Sequence, residues 1–259
     1  ARVGGNEFAC IVASNPKFDV MNFAERLFKC VTHNHYEIDN QEVALSCSIG
    51  VSQVPEDAQD IETLMQNASL AVQKAKYQGG DQIQLFDTSL ESFSRQRLEM
   101  ELALRKAFSN DELEVYYQPK LDVSQNKIRS VEALIRWNHP SKGQISPHEF
   151  VNVAEECGLI SELGAYVLQT ACTQTQAWEA QGLGQLSVSV NLSPRQLRDA
   201  DLEALIIKTL ETTRIPAENL ELELTESTIM QDTKGASELL STLRSLGIKI
   251  SIDDFGTGY

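Results

Sequence analysis

Three short segments alternate between aliphatic and polar residues, and helical patterns separate them. Leu186, Val188 and Val190 alternate with Ser187, Ser189 and Asn191. Leu220, Leu222 and Leu224 alternate with Glu221, Glu223 and Thr225, and Ile248, Ile250 and Ile252 with Lys249, Ser251 and Asp253. A side-chain period of two marks strands with one apolar and one polar face. Helical spacing over about 147–180, 194–213 and 235–246 places crossovers around and between the strands, which predicts a parallel sheet. A strand covered by helices on both faces is nearly continuous in apolar residues, so the polar half must face something else. In a closed (β/α)8 barrel it faces the axis. The alternatives are an antiparallel sheet with its polar face in water and a doubly wound sheet, although no Gly-rich dinucleotide fingerprint follows any strand.

Upstream, 113–123 and 127–137 read as strands joined by Ser124-Gln125-Asn126, a turn that permits only antiparallel pairing. The fold class expected is therefore α/β, with an incomplete TIM-like barrel whose first strand is antiparallel. Asn191, Glu223 and Asp253 fall toward the C-terminal ends of their strands, where barrel active sites form. Glu132, on the 127–137 strand, adds a carboxylate to the same mouth. Converging buried carboxylates are costly without a cation, and an all-oxygen donor set suits Mg²⁺, Mn²⁺ or Ca²⁺.

Residues 1–88 follow a different pattern. Arg2-Val3 and 8–12 flank Gly4-Gly5-Asn6-Glu7, a tight hairpin signal. Helical spacing of Val20, Phe23, Ala24, Leu27 and Val31 comes next, then alternation over 43–54. Ile61, Leu64, Met65, Ala68, Val72 and Ala75 define a second helix that Gly79-Gly80 ends. A charged amphipathic stretch at about 91–108 reads as a linker helix, dividing the chain into 1–88 and 89–259. At 259 residues two domains are expected, and both ends read as cuts inside domains.

The 22 Lys and Arg against 37 Asp and Glu give a net charge of −15, a poor match to polymeric nucleic acid. The five cysteines form no CxxC pair and are expected to be reduced and mostly buried, consistent with a cytoplasmic protein. Membrane tethering through segments outside this chain is compatible with that reading. His33-x-His35 lacks the partners of a zinc site.

Four ordered motifs then narrow the function. They are Tyr117-Gln118-Pro119 with Glu132-Ala133-Leu134-Ile135-Arg136-Trp137, Asn191-Leu192-Ser193-Pro194-Arg195-Gln196-Leu197, Glu223-Leu224-Thr225-Glu226-Ser227, and Asp253-Asp254-Phe255-Gly256-Thr257-Gly258-Tyr259. In order and spacing they closely resemble the EAL domain, the bacterial cyclic di-GMP phosphodiesterase family. The resemblance implies that Glu132, Asn191, Glu223 and Asp253 are metal ligands, with Asp254 serving a second Mg²⁺ or Mn²⁺. Glu132, Asp253 and Asp254 would thereby be catalytic, and Gln118 and Arg136 would hold the substrate. Glu226 matches an acidic residue that anchors a catalytic loop, the alternative being a solvated loop carboxylate.

The N-terminal part resembles the second half of a GGDEF diguanylate cyclase domain. The resemblance rests on Gly4-Gly5-Asn6-Glu7-Phe8, Ser48-Ile49-Gly50 and Ala68-Ser69-Leu70-Ala71. Asn6 stands where active cyclases carry an acid, and Ser69 where Asp is usual, which implies a degenerate domain. Its role would be structural or, less favoured, GTP binding as a regulatory input. The activity the resemblance implies is hydrolysis of cyclic di-GMP to linear pGpG by the intact protein; because the family's later strands supply a further Lys and Glu, this piece alone is expected to be inactive. A homodimer through the EAL domain is also expected. The alternative is a non-catalytic cyclic di-GMP receptor or signalling scaffold.

Overall fold

The computed structural model describes residues 1–13, 19–34, 36–38, 41–43, 45–225 and 235–253. The chain divides into two units, Ala1–Gln96 and Arg97–Tyr259.

In the first unit, Arg2 and Phe8 form an antiparallel bridge around the expected tight turn, and Val3 N–H donates to Glu7 O at 2.9 Å. Helix α1 (Val20–Thr32) starts at Asp19, whose Oδ1 accepts from Met21 N at 2.9 Å, a helix cap. Strands β1 (Tyr36–Ile38) and β2 (Gln41–Val43) pair antiparallel. Strand β3 (Ile49–Val51), helix α2 (Ile61–Tyr77) and strand β4 (Ile83–Leu85) form a parallel β-α-β crossover. Gly50 permits its packing, because a Cβ there would lie 2.1 Å from Ala68 O. The alternation expected over 43–54 is therefore not one strand: β2 ends at Val43, and only Ile49–Val51 pairs again.

The boundary between the units falls within helix α3 (Ser89–Ala107). In the second unit, β5 (Leu113–Asp122) and β6 (Lys127–His139) are antiparallel. Their turn is fixed by Asp122 Oδ1, which accepts from Ser124 N and Gln125 N. Strand β7 (Gly143–Ile145), which the pattern did not reveal, pairs with the end of β6. Next come α4 (Pro147–Cys157), α5 (Ile160–Ala180), β8 (Ser187–Asn191), α6 (Leu202–Thr213), β9 (Leu220–Thr225), α7 (Gly235–Ser245) and β10 (Lys249–Asp253). The sheet order is β10-β9-β8-β6-β5, parallel from β6 to β10. The antiparallel alternative for the alternating strands is thus excluded.

Two long helical patterns resolve into shorter elements. Gly158, at φ 80°, separates α4 from α5, because an α-helix cannot continue through the left-handed region. The 194–213 stretch is a 3₁₀ turn, Gln196–Arg198, followed by α6. The strand parity holds in space. Val188, Val190, Leu220, Leu222 and Leu224 are buried with Leu168, Ala171 and Cys172 of α5, Ile206 of α6 and Leu243 of α7. The cysteine expectation needs correction, since only Cys172 is buried and Cys10 and Cys30 are exposed. Cys30 lies six residues beyond buried Ala24 on α1, well round the helix from it.

Candidate active site

Register places the candidate residues on one face of the second sheet. Gln118 lies opposite Glu132, Glu132 opposite Ser189, Asn191 opposite Glu223, and Glu223 opposite Ser251. Asp253 follows two residues later, beside Thr225. Paired residues share a face, as do residues two apart. Gln118, Glu132, Asn191, Glu223 and Asp253 therefore share the polar face, and Arg136 joins them through its even spacing from Glu132. The row climbs by two residues between β6 and β8 and again between β9 and β10, as strand stagger in a barrel requires.

Two contacts organise this face. Asn191 Nδ2 donates to Glu132 Oε1 at 3.0 Å. An amide nitrogen committed to Glu132 orients the Asn191 carbonyl oxygen as the atom available to a cation. The second contact joins residues far apart in the sheet. Lys120 Nζ donates to Ser189 Oγ at 2.8 Å and forms an ion pair with Glu223 Oε1. Strands β5 and β9 are three spacings apart, about 14 Å on a flat sheet. Side chains stand roughly perpendicular to a sheet, so this contact requires the sheet to curl toward its polar face. Burial pulls the Lys120 ammonium toward a lower pKa. The hydrogen bond and charge of Glu223, with Glu132 and Glu221 adding, outweigh this and hold it above the ordinary lysine value.

Of the substrate-holding candidates, Gln118 lies on the edge strand β5 and Arg136 on its neighbour β6. Gln118 is exposed, and Arg136 Nη1 donates to Ile135 O at 2.8 Å, with its guanidinium 5.7 Å from the Tyr116 ring. The loop after Asn191 is pinned at several points. Leu192 N donates to Glu223 O at 2.9 Å, and Ser193 N to Gln196 Oε1 at 3.0 Å. Gln196 is buried directly over Gly164, where a Cβ would lie 1.8 Å from its Nε2. Arg195 donates to Glu155 O. Burial pushes the Glu155 carboxyl up in pKa, against the charge of Arg195 and a hydrogen bond from Ser193.

Asp254 and Glu226 lie outside the described residues. Among the described residues, no three His, Cys, Asp or Glu side chains cluster closely enough to hold an ion. The donor chemistry nevertheless fits a hard divalent cation, since Glu132, Asn191 and Glu223 offer oxygen atoms from neighbouring strands. Sequence reasoning missed Lys120, Ser189 and Gln196. Lys120 was open to the same parity argument, two residues from Gln118, but its reach depends on sheet curvature. In the first unit, Gly4, Gly5, Asn6, Glu7 and Phe8 surround the bridged turn, with Phe8 exposed.

A family model for the EAL domain matches residues 101–259. The chain belongs to the EAL domain family. A model for the diguanylate cyclase GGDEF domain matches residues 1–82, so the EAL domain here follows a GGDEF domain. The bifunctional diguanylate cyclase/cyclic di-GMP phosphodiesterase MucR of Pseudomonas aeruginosa is 38% identical over 259 residues, covering 100% of this chain and 38% of MucR. The cyclic di-GMP phosphodiesterase NbdA of the same species is 35% identical, covering 100% of this chain and 33% of NbdA. Among solved structures, that of the PaMucR phosphodiesterase in complex with c-di-GMP is 39% identical with a TM-score of 0.60, over 62% of this chain and 65% of that one. The chain spans about a third of the length of the curated relatives it matches. Among the described residues, no helix is long and apolar enough to cross a membrane.

Proposed function

We propose that the intact protein hydrolyses cyclic di-GMP to linear pGpG at the polar face of its EAL domain. The observation that carries this reading is the Asn191–Glu132 hydrogen bond beside Glu223, which gathers oxygen donors from three adjacent strands. The named relatives, a cyclic di-GMP phosphodiesterase and a phosphodiesterase in complex with c-di-GMP, support the substrate and reaction.

In this reading Glu132, Asn191, Glu223 and Asp253 hold a divalent cation, Mg²⁺ or Mn²⁺, and Asp254 serves a second. When bound, such ions supply charge to offset the phosphodiesters and acidify a water. Arg136 offers its planar guanidinium to a phosphate oxygen, and Gln118, opposite Glu132, hydrogen-bonds the dinucleotide. Glu226 takes the part of the acidic residue that anchors a catalytic loop in the family. One water is added across one phosphodiester bond, opening the ring.

The domain division proposed is 1–88 and 89–259. The GGDEF part makes no cyclic di-GMP, because Asn6 lacks the charge to hold Mg²⁺ against a triphosphate; its role is structural, and direct titration with GTP tests the alternative of a regulatory input. A homodimer through the EAL domain and a cytoplasmic location belong to the same reading, the latter supported by the free cysteines. The test is conversion of cyclic di-GMP by the intact protein, followed by chromatography. Mg²⁺- or Mn²⁺-dependent pGpG formation that chelation abolishes is expected, and no turnover with either ion would refute the reading.

A further inference from the structure

We propose that Lys120 is a resident counter-cation of the EAL site, a positioning residue that competes with a divalent cation for Glu223 and so weakens metal binding. The proposal rests on the reading of Glu223 as a metal ligand and adds a determinant of that site's affinity.

Three observations carry it. The Glu223 side chain is almost fully buried at 6% exposure, and Lys120 pairs with its Oε1. A buried carboxylate left unpaired is strongly destabilising, and the Lys120 ammonium is the partner that Glu223 has in the structure. Lys120 is also held from a second side, by the hydroxyl of buried Ser189 at 2.8 Å, so its position is built into the sheet. Finally, the only way a lysine on β5 meets a glutamate on β9 is across the concave polar face, where the other candidate ligands stand.

A cation bound at Glu223 must therefore share its carboxylate with Lys120, whose positive charge repels it, or break the Lys120 contacts to displace the ammonium. Two like charges held close in a partly buried site repel each other by more than they would in water. Removing the lysine charge relieves that repulsion and also leaves the metal-free protein with an uncompensated Glu223. Both effects raise the apparent metal affinity.

The test is Mn²⁺ binding to the intact protein by calorimetry, with thermal melting in chelator and in Mn²⁺. Lys120→Met is expected to tighten Mn²⁺ binding about tenfold, to melt lower than wild type in chelator, and to gain more from added Mn²⁺. Lys120→Arg, which keeps the charge, is expected to restore the wild-type affinity. Lys120→Gln carries the same expectation as Lys120→Met and serves where Met at that position fails to fold. Unchanged or weaker Mn²⁺ binding in the charge-removing variants would overturn the proposal. Where wild type binds Mn²⁺ and Glu132→Ala abolishes the binding, such a result removes the role of Lys120 alone. Failure of wild type to bind Mn²⁺ overturns the metal-site reading and this proposal together.

Discussion

Asn191 at the end of β8 donates to Glu132 on the neighbouring parallel strand, tying two candidate ligands together at 3.0 Å. Asn191 is exposed, so the bond contributes little to holding the fold. Its consequence is orientation: the amide fixes Glu132 and presents its own carbonyl oxygen on the same face.

Asn191→Ala is accordingly expected to lower pGpG formation by about 100-fold, the upper range for groups that orient metal ligands. The melting temperature should stay within about 1 °C of wild type, as an exposed polar substitution away from the core allows. Initial rates with cyclic di-GMP and a thermal melt check both. Full activity in the variant would remove Asn191 from the site.

Trp137 is fully buried on β6, packs edge-to-face on Phe150 at 5.5 Å, and donates from Nε1 to Glu112 Oε2 at 3.0 Å. Trp137→Phe is expected to cost about 1–3 kcal/mol by urea denaturation, from the lost bond and the void. The same bond, with one from Asn110, lowers the Glu112 pKa below its ordinary value of 4.5. A carboxylate depressed in the folded state stabilises above its unfolded pKa, and this contribution is lost as pH falls through the folded value. Stability should therefore decline with acid below about pH 4.5, less steeply at this group in Trp137→Phe. Parallel pH profiles of the two proteins would contradict the assignment.

Gly50 leaves no space for a side chain, with Ala68 O 2.1 Å and Val72 N 2.5 Å from a Cβ. Both obstacles are backbone, so helix α2 itself must shift. Gly50→Ala is expected to destabilise the first unit by about 3 kcal/mol or more, seen as earlier unfolding in denaturant. A loss under about 1 kcal/mol would show that β3 and α2 separate easily.

At Gly164 the obstacle is instead a buried side chain, Gln196, whose Oε1 holds Ser193 N after Asn191. Gly164→Ala is expected to displace Gln196 and loosen that loop, at about 1–3 kcal/mol in stability. Faster amide hydrogen exchange at Ser193 would report the lost bond. Unaltered exchange there would show that Gln196 does not hold the loop.

Much of this was legible because side-chain parity survives folding. The alternation of Val188, Leu222 and Ile250 with Ser189, Glu223 and Ser251 assigned faces that the register confirms. The short turn at Ser124–Asn126 likewise required antiparallel pairing of β5 and β6. Other features depend on geometry that periodicity does not encode. Gly158 interrupts a continuous apolar pattern because of its left-handed backbone, and both helices still bury one stripe. Strand β7 is three residues long, too short to show a period. Lys120 reaches Glu223 only because the sheet curls, a property of the assembled strands.

The most direct test of the account compares Glu132→Ala with wild type in the intact protein, measuring pGpG formed from cyclic di-GMP in Mn²⁺. Glu132 is half-buried at the centre of the polar face, so its removal should leave the fold intact, abolish turnover and reduce Mn²⁺ binding. Persistent pGpG formation by Glu132→Ala at the wild-type rate would contradict the assignment of the active site.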